Sequence, residues 1–182
     1  MDNLSAIIES LLFVSEEPLS ISKIHSVLKE FDKKKIREAI EALIERYQSQ
    51  EHGFTLKEVA GGFQFRTRPE YSEWIKRLKP SNPVRLSRPA LETLTIIAYR
   101  QPVLRCEIEE IRGVDCGGTI RTLLEKKLIR VVGRKDLPGR PLIYGTTRQF
   151  LEVFDLKDIT ALPSLKELEE PNILCPNDSK SL

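Results

Sequence analysis

The feature that most constrains this 182-residue chain is a plan written twice, about 84 residues apart. Ile7 aligns with Leu91, Pro18 with Pro102 and Ile24 with Ile108. Ile36 aligns with Ile120, Ile40 with Leu124 and Ile44 with Leu128. A constant offset through three apolar-periodic segments marks a duplicated supersecondary unit. Two copies are too few for a solenoid, which needs a stack of neighbours to bury its faces. The length suits two small domains instead.

The second copy is the easier to read. Ser87 is a helix N-cap with Pro89 just inside, and Gln101-Pro102 ends that helix. Ile108 and Ile111 face inward from a second helix, which Gly113 stops. Asp115 caps a third helix carrying Ile120, Leu123, Leu124 and Leu128. A strand over 129–132, a loop over 133–140 with Pro138 and Gly139 at its tip, and a return strand over 142–144 follow. Thr147 then caps a last helix that buries Phe150, Leu151 and Phe154. Three helices, a β-hairpin and a closing helix are the outline of a winged helix.

The first copy has the same order. Leu4, Ile7, Ile8, Leu11 and Leu12 make a helical stripe, broken by Glu16, Glu17 and Pro18. Ser20 and Asp32 are the N-caps of the next two helices. Ile36, Ile40, Leu43, Ile44 and Tyr47 line the longer one. Alternating runs flank Gly61-Gly62, a strong hairpin signal. Pro69 opens another helix with Tyr71, Trp74, Ile75 and Leu78 as its packing face. The expected fold is therefore mainly α with small β wings (α+β), in two tandem winged-helix domains. Their expected spans are residues 1–79 and 87–170, joined by a Pro/Ser/Asn linker over 80–86, with a disordered tail over 171–182.

Enzyme chemistry finds no support in the residues. The three cysteines form no C-x-x-C, and His25 and His52 lie far from them, so neither a metal nor a cofactor is expected. The glycine pairs match no phosphate-binding fingerprint, and no Ser/His/Asp set is present. No apolar run reaches the roughly 18 residues of a membrane span. The amino-terminal segment carries Asp2 and Glu9 and no basic stretch, so it reads poorly as a signal peptide. A soluble cytoplasmic protein with no membrane partner is the expectation.

That leaves binding. The net charge of +2 makes no global case for nucleic acid, but residues 112–148 hold nine Lys/Arg against Asp115, Glu125 and Asp136. In a winged helix the third helix reads the major groove. Here that helix opens on Gly117, Gly118 and Thr119, with Arg121 as its one plausible base reader. Sequence-specific reading is thus poorly supplied, and DNA contact through Arg121, Arg130 and Lys135 is expected to be weak and non-specific. Tyr99, Arg100, Gln101 and Pro102, together with Arg134 and Arg140 on the second wing, are residue types suited to a protein interface. Leu4, Ile8, Leu11 and Leu12 exceed what one small core needs and suggest a dimer seam.

Several stretches carry a family resemblance: LSRPALETLTIIAYRQP, IRGVD, GRKDLPGRPLIYGTT followed by QFLEVF, and in the first half IIESLLFVSEEPLS and GGFQFRTRPEY. Over about residues 4–170 the chain resembles the segregation-and-condensation protein B family, accessory subunits of the bacterial condensin-like chromosome complex. The resemblance implies two winged-helix domains and a homodimer formed mainly through the N-terminal one. It implies that the C-terminal domain helps hold the kleisin (segregation-and-condensation protein A) and so acts indirectly on the SMC ATPase. It also implies a role in chromosome condensation and segregation at the nucleoid, without catalysis. On that basis the kleisin contacts are expected at Tyr99, Arg100, Gln101, Pro102, Arg112, Arg134 and Arg140. The alternative from a different class is a winged-helix DNA-binding transcriptional regulator.

Overall fold

The computed structural model describes residues 3–49, 51–79 and 86–164. The first half runs α1 (Asn3–Val14), α2 (Ile21–Val27), α3 (Lys33–Gln48), β1 (Phe54–Val59), β2 (Gly62–Thr67), a 3-10 turn (Pro69–Tyr71) and α4 (Ser72–Leu78). The second runs α5 (Arg88–Arg100), β3 (Val103–Leu104), α6 (Arg105–Arg112), α7 (Gly117–Glu125), β4 (Ile129–Arg134), β5 (Leu142–Thr146), α8 (Arg148–Val153) and a 3-10 turn (Ile159–Ala161). The fold is mixed α and β, with helices around two small antiparallel sheets.

Each half closes its own core. In α3 the buried residues Ile36, Ile40, Leu43 and Tyr47 fall at steps of three and four, one stripe of a 3.6-residue helix. They meet Ile8 and Leu12 of α1 and Ile24 of α2. In the second half Leu94 and Ile97 of α5 meet Ile108, Ile120, Leu123 and Ile129. Each such side chain contributes about 1.5–3 kcal/mol over its exposed state, so a dozen of them dominate the stability.

Local signals set the helix starts. Ser20 Oγ accepts from the Lys23 N–H at 3.2 Å, Ser87 Oγ from the Ala90 N–H at 3.3 Å, and Thr147 Oγ1 from the Phe150 N–H at 3.1 Å. Gly113 ends α6 in the left-handed region at φ 69°, donating its N–H to the Glu109 carbonyl. Two expected caps differ. Asp32 occupies the N-cap of α3 but makes no side-chain bond. Asp115 lies one residue outside α7; Cys116 is the N-cap, and Asp115 Oδ1 accepts from the Gly117 N–H at 3.0 Å.

Both halves add a β pairing that the periodicity did not reveal, a short strand in the second and a single bridge in the first. Val103 and Leu104 pair with Tyr144 and Ile143, giving the order β3-β5-β4. In the first half Leu19 pairs with Phe63 through two reciprocal N–H···O bonds of 2.9 Å. These contacts are too short to show alternation, so only the fold exposes them. Gly62 is needed there, because a Cβ at that position would lie 2.8–2.9 Å from the backbone of Pro18 and Leu19. The hairpin turn falls on Ala60-Gly61, one residue earlier than the Gly61-Gly62 expected, with Gly62 already in β2.

Some expected packing faces are open. Trp74 of α4 is 62% exposed and Leu78 is 87% exposed, with Tyr71 and Ile75 also uncovered, so that helix buries none of its residues. Ile111 and Phe154, expected inside, are exposed as well.

The halves touch along one polar seam. Ala60 and Gly61 at the tip of the first hairpin donate to the carbonyls of Leu156 and Lys157, both at 2.9 Å. Lys57 pairs with Asp155, and Lys157 with Glu58 at 2.9 Å. Arg66 donates to the Glu152 carbonyl at 3.2 Å, and Arg148 donates to the Pro18 carbonyl.

Candidate protein-binding surfaces

On the first half two residues of the expected dimer seam are closed to a partner. Ile8 and Leu12 are fully buried in their own core, and Leu4 and Leu11 pack half-buried against it. A side chain already surrounded by its protomer has no surface left for a partner. The apolar surface of α1 is instead its C-terminal end, where Phe13 is 78% and Val14 80% exposed. They edge a groove of about 680 Å³ floored by Tyr47, Phe54 and Phe65. Those three rings pack edge-to-face and tilted at centroid distances of 5.0–5.3 Å, which fixes the floor. Tyr47 also donates its hydroxyl to Glu9, and that hydrogen bond raises the phenol above its usual range. Phe13 lies opposite the α1 stripe, the signal that marks it as surface, while Val14 sits at the stripe's edge, three residues after Leu11.

On the second half the predicted residues divide. Arg100 and Pro102 are exposed and line a groove of about 560 Å³ with Val103, Glu107, Glu110 and Ile111. Tyr99 and Gln101 face their own fold. The Tyr99 hydroxyl donates to the Pro163 carbonyl at 2.7 Å, and Gln101 Oε1 accepts from the Thr146 N–H at 2.7 Å and its hydroxyl at 3.0 Å. The peptide bond between Gln101 and Pro102 is cis.

Arg112 is likewise internal. Its side chain is only 11% exposed, bonded to Glu92 at 2.9 Å and to the Thr93 hydroxyl at 3.0 Å. It clamps α6 to α5 and presents little to a partner. Next to it, Leu91 and Ile111 are uncovered apolar residues on a second shallow groove that also includes Ile96. Both hold apolar positions of the repeated plan, Leu91 aligned with Ile7 and Ile111 as expected core, because a helix stripe wider than its neighbour can cover looks the same in sequence.

The junction of α6 and α7 is held by charge. Glu109 Oε1 accepts from the Cys116 N–H at 3.0 Å and from Arg105 Nε at 2.6 Å. The Cys116 amide, then Arg105, holds the Glu109 carboxyl below its usual range. Arg105 also pairs with Asp115.

The second hairpin projects beyond these grooves. Arg130, Arg134, Lys135 and Arg140 are all exposed. Arg140 sits at φ 43° and donates its N–H to the Leu137 carbonyl at 2.8 Å, while Lys135 donates to the Pro141 carbonyl at 2.9 Å. Lys135 Nζ reaches Glu107 at 3.8 Å, so the hairpin adjoins the Arg100–Pro102 groove. Arg121, on α7, is paired with Glu125 at 3.0 Å. Among the described residues no group of three His, Cys, Asp or Glu side chains is placed to hold a metal ion, and no helix is long and apolar enough to cross a membrane.

A family model described as segregation and condensation complex subunit ScpB matches residues 6–165. A relative in Syntrophotalea carbinolica, segregation and condensation protein B, is 49% identical over 92% of this chain and 84% of its own. A protein of the same name in Myxococcus xanthus is 48% identical over 93% of this chain, which spans 51% of that longer relative. A solved structure, a dimer of the ScpB N-terminal domain complexed with ScpA peptide, is 34% identical over 44% of this chain and 92% of its own, with a TM-score of 0.40.

Proposed function

The chain belongs to the segregation and condensation protein B family, and from that premise we propose that it is a non-enzymatic scaffold subunit of a condensin-like chromosome complex. Each half is a winged-helix domain, residues 1–79 and 87–170, and the protein acts as a homodimer in the cytoplasm, at the nucleoid through its complex. The N-terminal domain forms the dimer and the C-terminal domain holds the kleisin, which links it indirectly to the SMC ATPase. The proposed tail over 171–182 lies outside the described residues.

The observation that carries the reading is the match of family sequence across nearly all of both halves. Open surface supports the division of labour. Phe13 and Val14 with their aromatic groove supply an apolar, self-complementary patch for a two-fold contact. Arg100, Pro102 and Ile111, beside Glu107 and Glu110, supply a mixed apolar and charged groove for an amphipathic segment of the kleisin. Binding the kleisin in its assembled form stabilises that form by mass action.

Light scattering coupled to gel filtration tests this, on the chain alone and mixed with the kleisin of the same genome. The expected result is a dimer that shifts to a complex of two of these chains per kleisin. A dimer that ignores the kleisin removes the proposed function, and a one-to-one complex removes the stoichiometry.

A further inference from the structure

Cations on this protein are not spread evenly. The whole chain carries a net charge of only +2. Yet Lys126, Lys127, Arg130, Arg134, Lys135 and Arg140 follow one another along the end of α7 and the second hairpin, with Glu125 and Asp136 the only carboxylates in that stretch. Of the six, Lys135 alone has a carboxylate partner among the described residues, at 3.8 Å in a half-exposed pair worth little in water. Arg134 donates instead to the Arg140 carbonyl at 3.5 Å. Guanidinium and ammonium groups left without carboxylates on an exposed hairpin form a local positive field that the net charge conceals.

The hairpin's shape narrows the partner. Arg130 to Arg134 covers about 13 Å of extended chain, and the tip carries Arg140 beyond it. The tip is held by its own backbone bonds, Arg140 to Leu137 and Lys135 to Pro141. The result is a stiff projection studded with cations. A projection suits insertion against a polyanion; a cradle would suit a helical peptide better. By contrast, Lys33, Lys34, Lys35 and Arg37 at the start of α3 are interleaved downstream with Glu38, Glu41 and Glu45, and Lys34 reaches Glu38 at 4.0 Å.

Base reading is not provided for. α7 begins with Gly117, Gly118 and Thr119, its Arg121 is tied to Glu125, and exposed Asp115 stands at its entrance. We propose that the second hairpin is a phosphate-backbone contact for double-stranded nucleic acid, without base preference, and that it works beside the kleisin face. It goes beyond the scaffold reading and does not depend on it.

The test uses the full chain and a labelled duplex of about 30 base pairs of arbitrary sequence, followed by fluorescence anisotropy from about 50 to about 200 mM salt. Four contacts, from Arg130, Arg134, Lys135 and Arg140, predict that log K falls against log salt with a slope of roughly −3.6. The double variant Arg130→Gln/Arg140→Gln is expected to bring the slope to roughly −1.8 and to weaken binding about tenfold or more. Lys33→Gln/Lys35→Gln, which removes the same charge from the first half, is expected to change affinity less than about twofold. Circular dichroism confirms folding of each variant, and the wild-type slope stands even if one variant does not fold. No binding at the lowest salt, equal losses in both variants, or a sharp preference for one sequence overturns the proposal. It is also overturned if the hairpin variant keeps its DNA affinity and loses the kleisin complex on gel filtration, since the partner is then an acidic protein.

Discussion

Glu109 shows how one carboxylate can hold a junction that has no buried salt bridge. Its oxygen takes the amide of Cys116 at the mouth of α7 and the guanidinium of Arg105, and both favour the charged form. A folded-state pKa below the usual glutamate range of about 4.3 means stability that is present at neutral pH and lost as the pH falls through that range toward the folded value. Glu109→Gln is therefore expected to melt at a lower temperature than wild type at pH 7, with the gap narrowing as the pH falls below the usual glutamate range and the wild-type carboxyl takes up its proton. Melting curves across that range check it; a gap that stays constant would mean that the carboxylate's charge is irrelevant. Nothing in the sequence singled out this residue. Glu109-Glu110 reads as a solvated pair until α6 and α7 are brought together.

At the scale of elements, the sequence was most legible where a pattern repeats within one helix. The stripe of α3 and the serine caps at Ser20 and Ser87 follow from local chemistry, and the first hairpin does so to within one residue. It was least legible where the answer depends on what lies opposite. Leu11 and Val14 are both apolar at one helical spacing, and only what packs opposite half-buries the first and leaves the second out. The face of α4 looked like core because its spacing is right, yet no neighbour covers it. The distinction is measurable. Phe13→Glu with Val14→Glu is expected to leave the fold intact and to weaken the proposed dimer at least about tenfold, as loss of a buried aromatic anchor does. Ile8→Glu places a charge in a closed core and is expected to unfold the half outright. Light scattering and circular dichroism separate the two; a dimer unmoved by the first variant would place the seam elsewhere, with α4 the next surface to try.

At the scale of the molecule, the two halves are separate apolar cores joined by a seam of hydrogen bonds and half-exposed ion pairs. Such pairs are worth about 1 kcal/mol or less each and are screened by salt. Opening the seam leaves both cores whole, so it is a local event of low cost. Amide exchange is expected to show Ala60 and Gly61 losing protection as salt rises, while Phe63, paired to Leu19 within its own half, keeps its protection. Equal loss at all three amides would mean that the first half unfolds as one unit with the seam.

The two hairpins are unequal. The first turns in two residues and is fastened to the other half of its own chain; the second carries a loop over residues 135–141 and faces outward. This asymmetry decides how far a local change is felt. A change at Ala60 or Gly61 reaches both halves, because the amides there hold carbonyls of the neighbouring half. A change between Lys135 and Pro141 stays chiefly within the hairpin and with whatever meets it from outside.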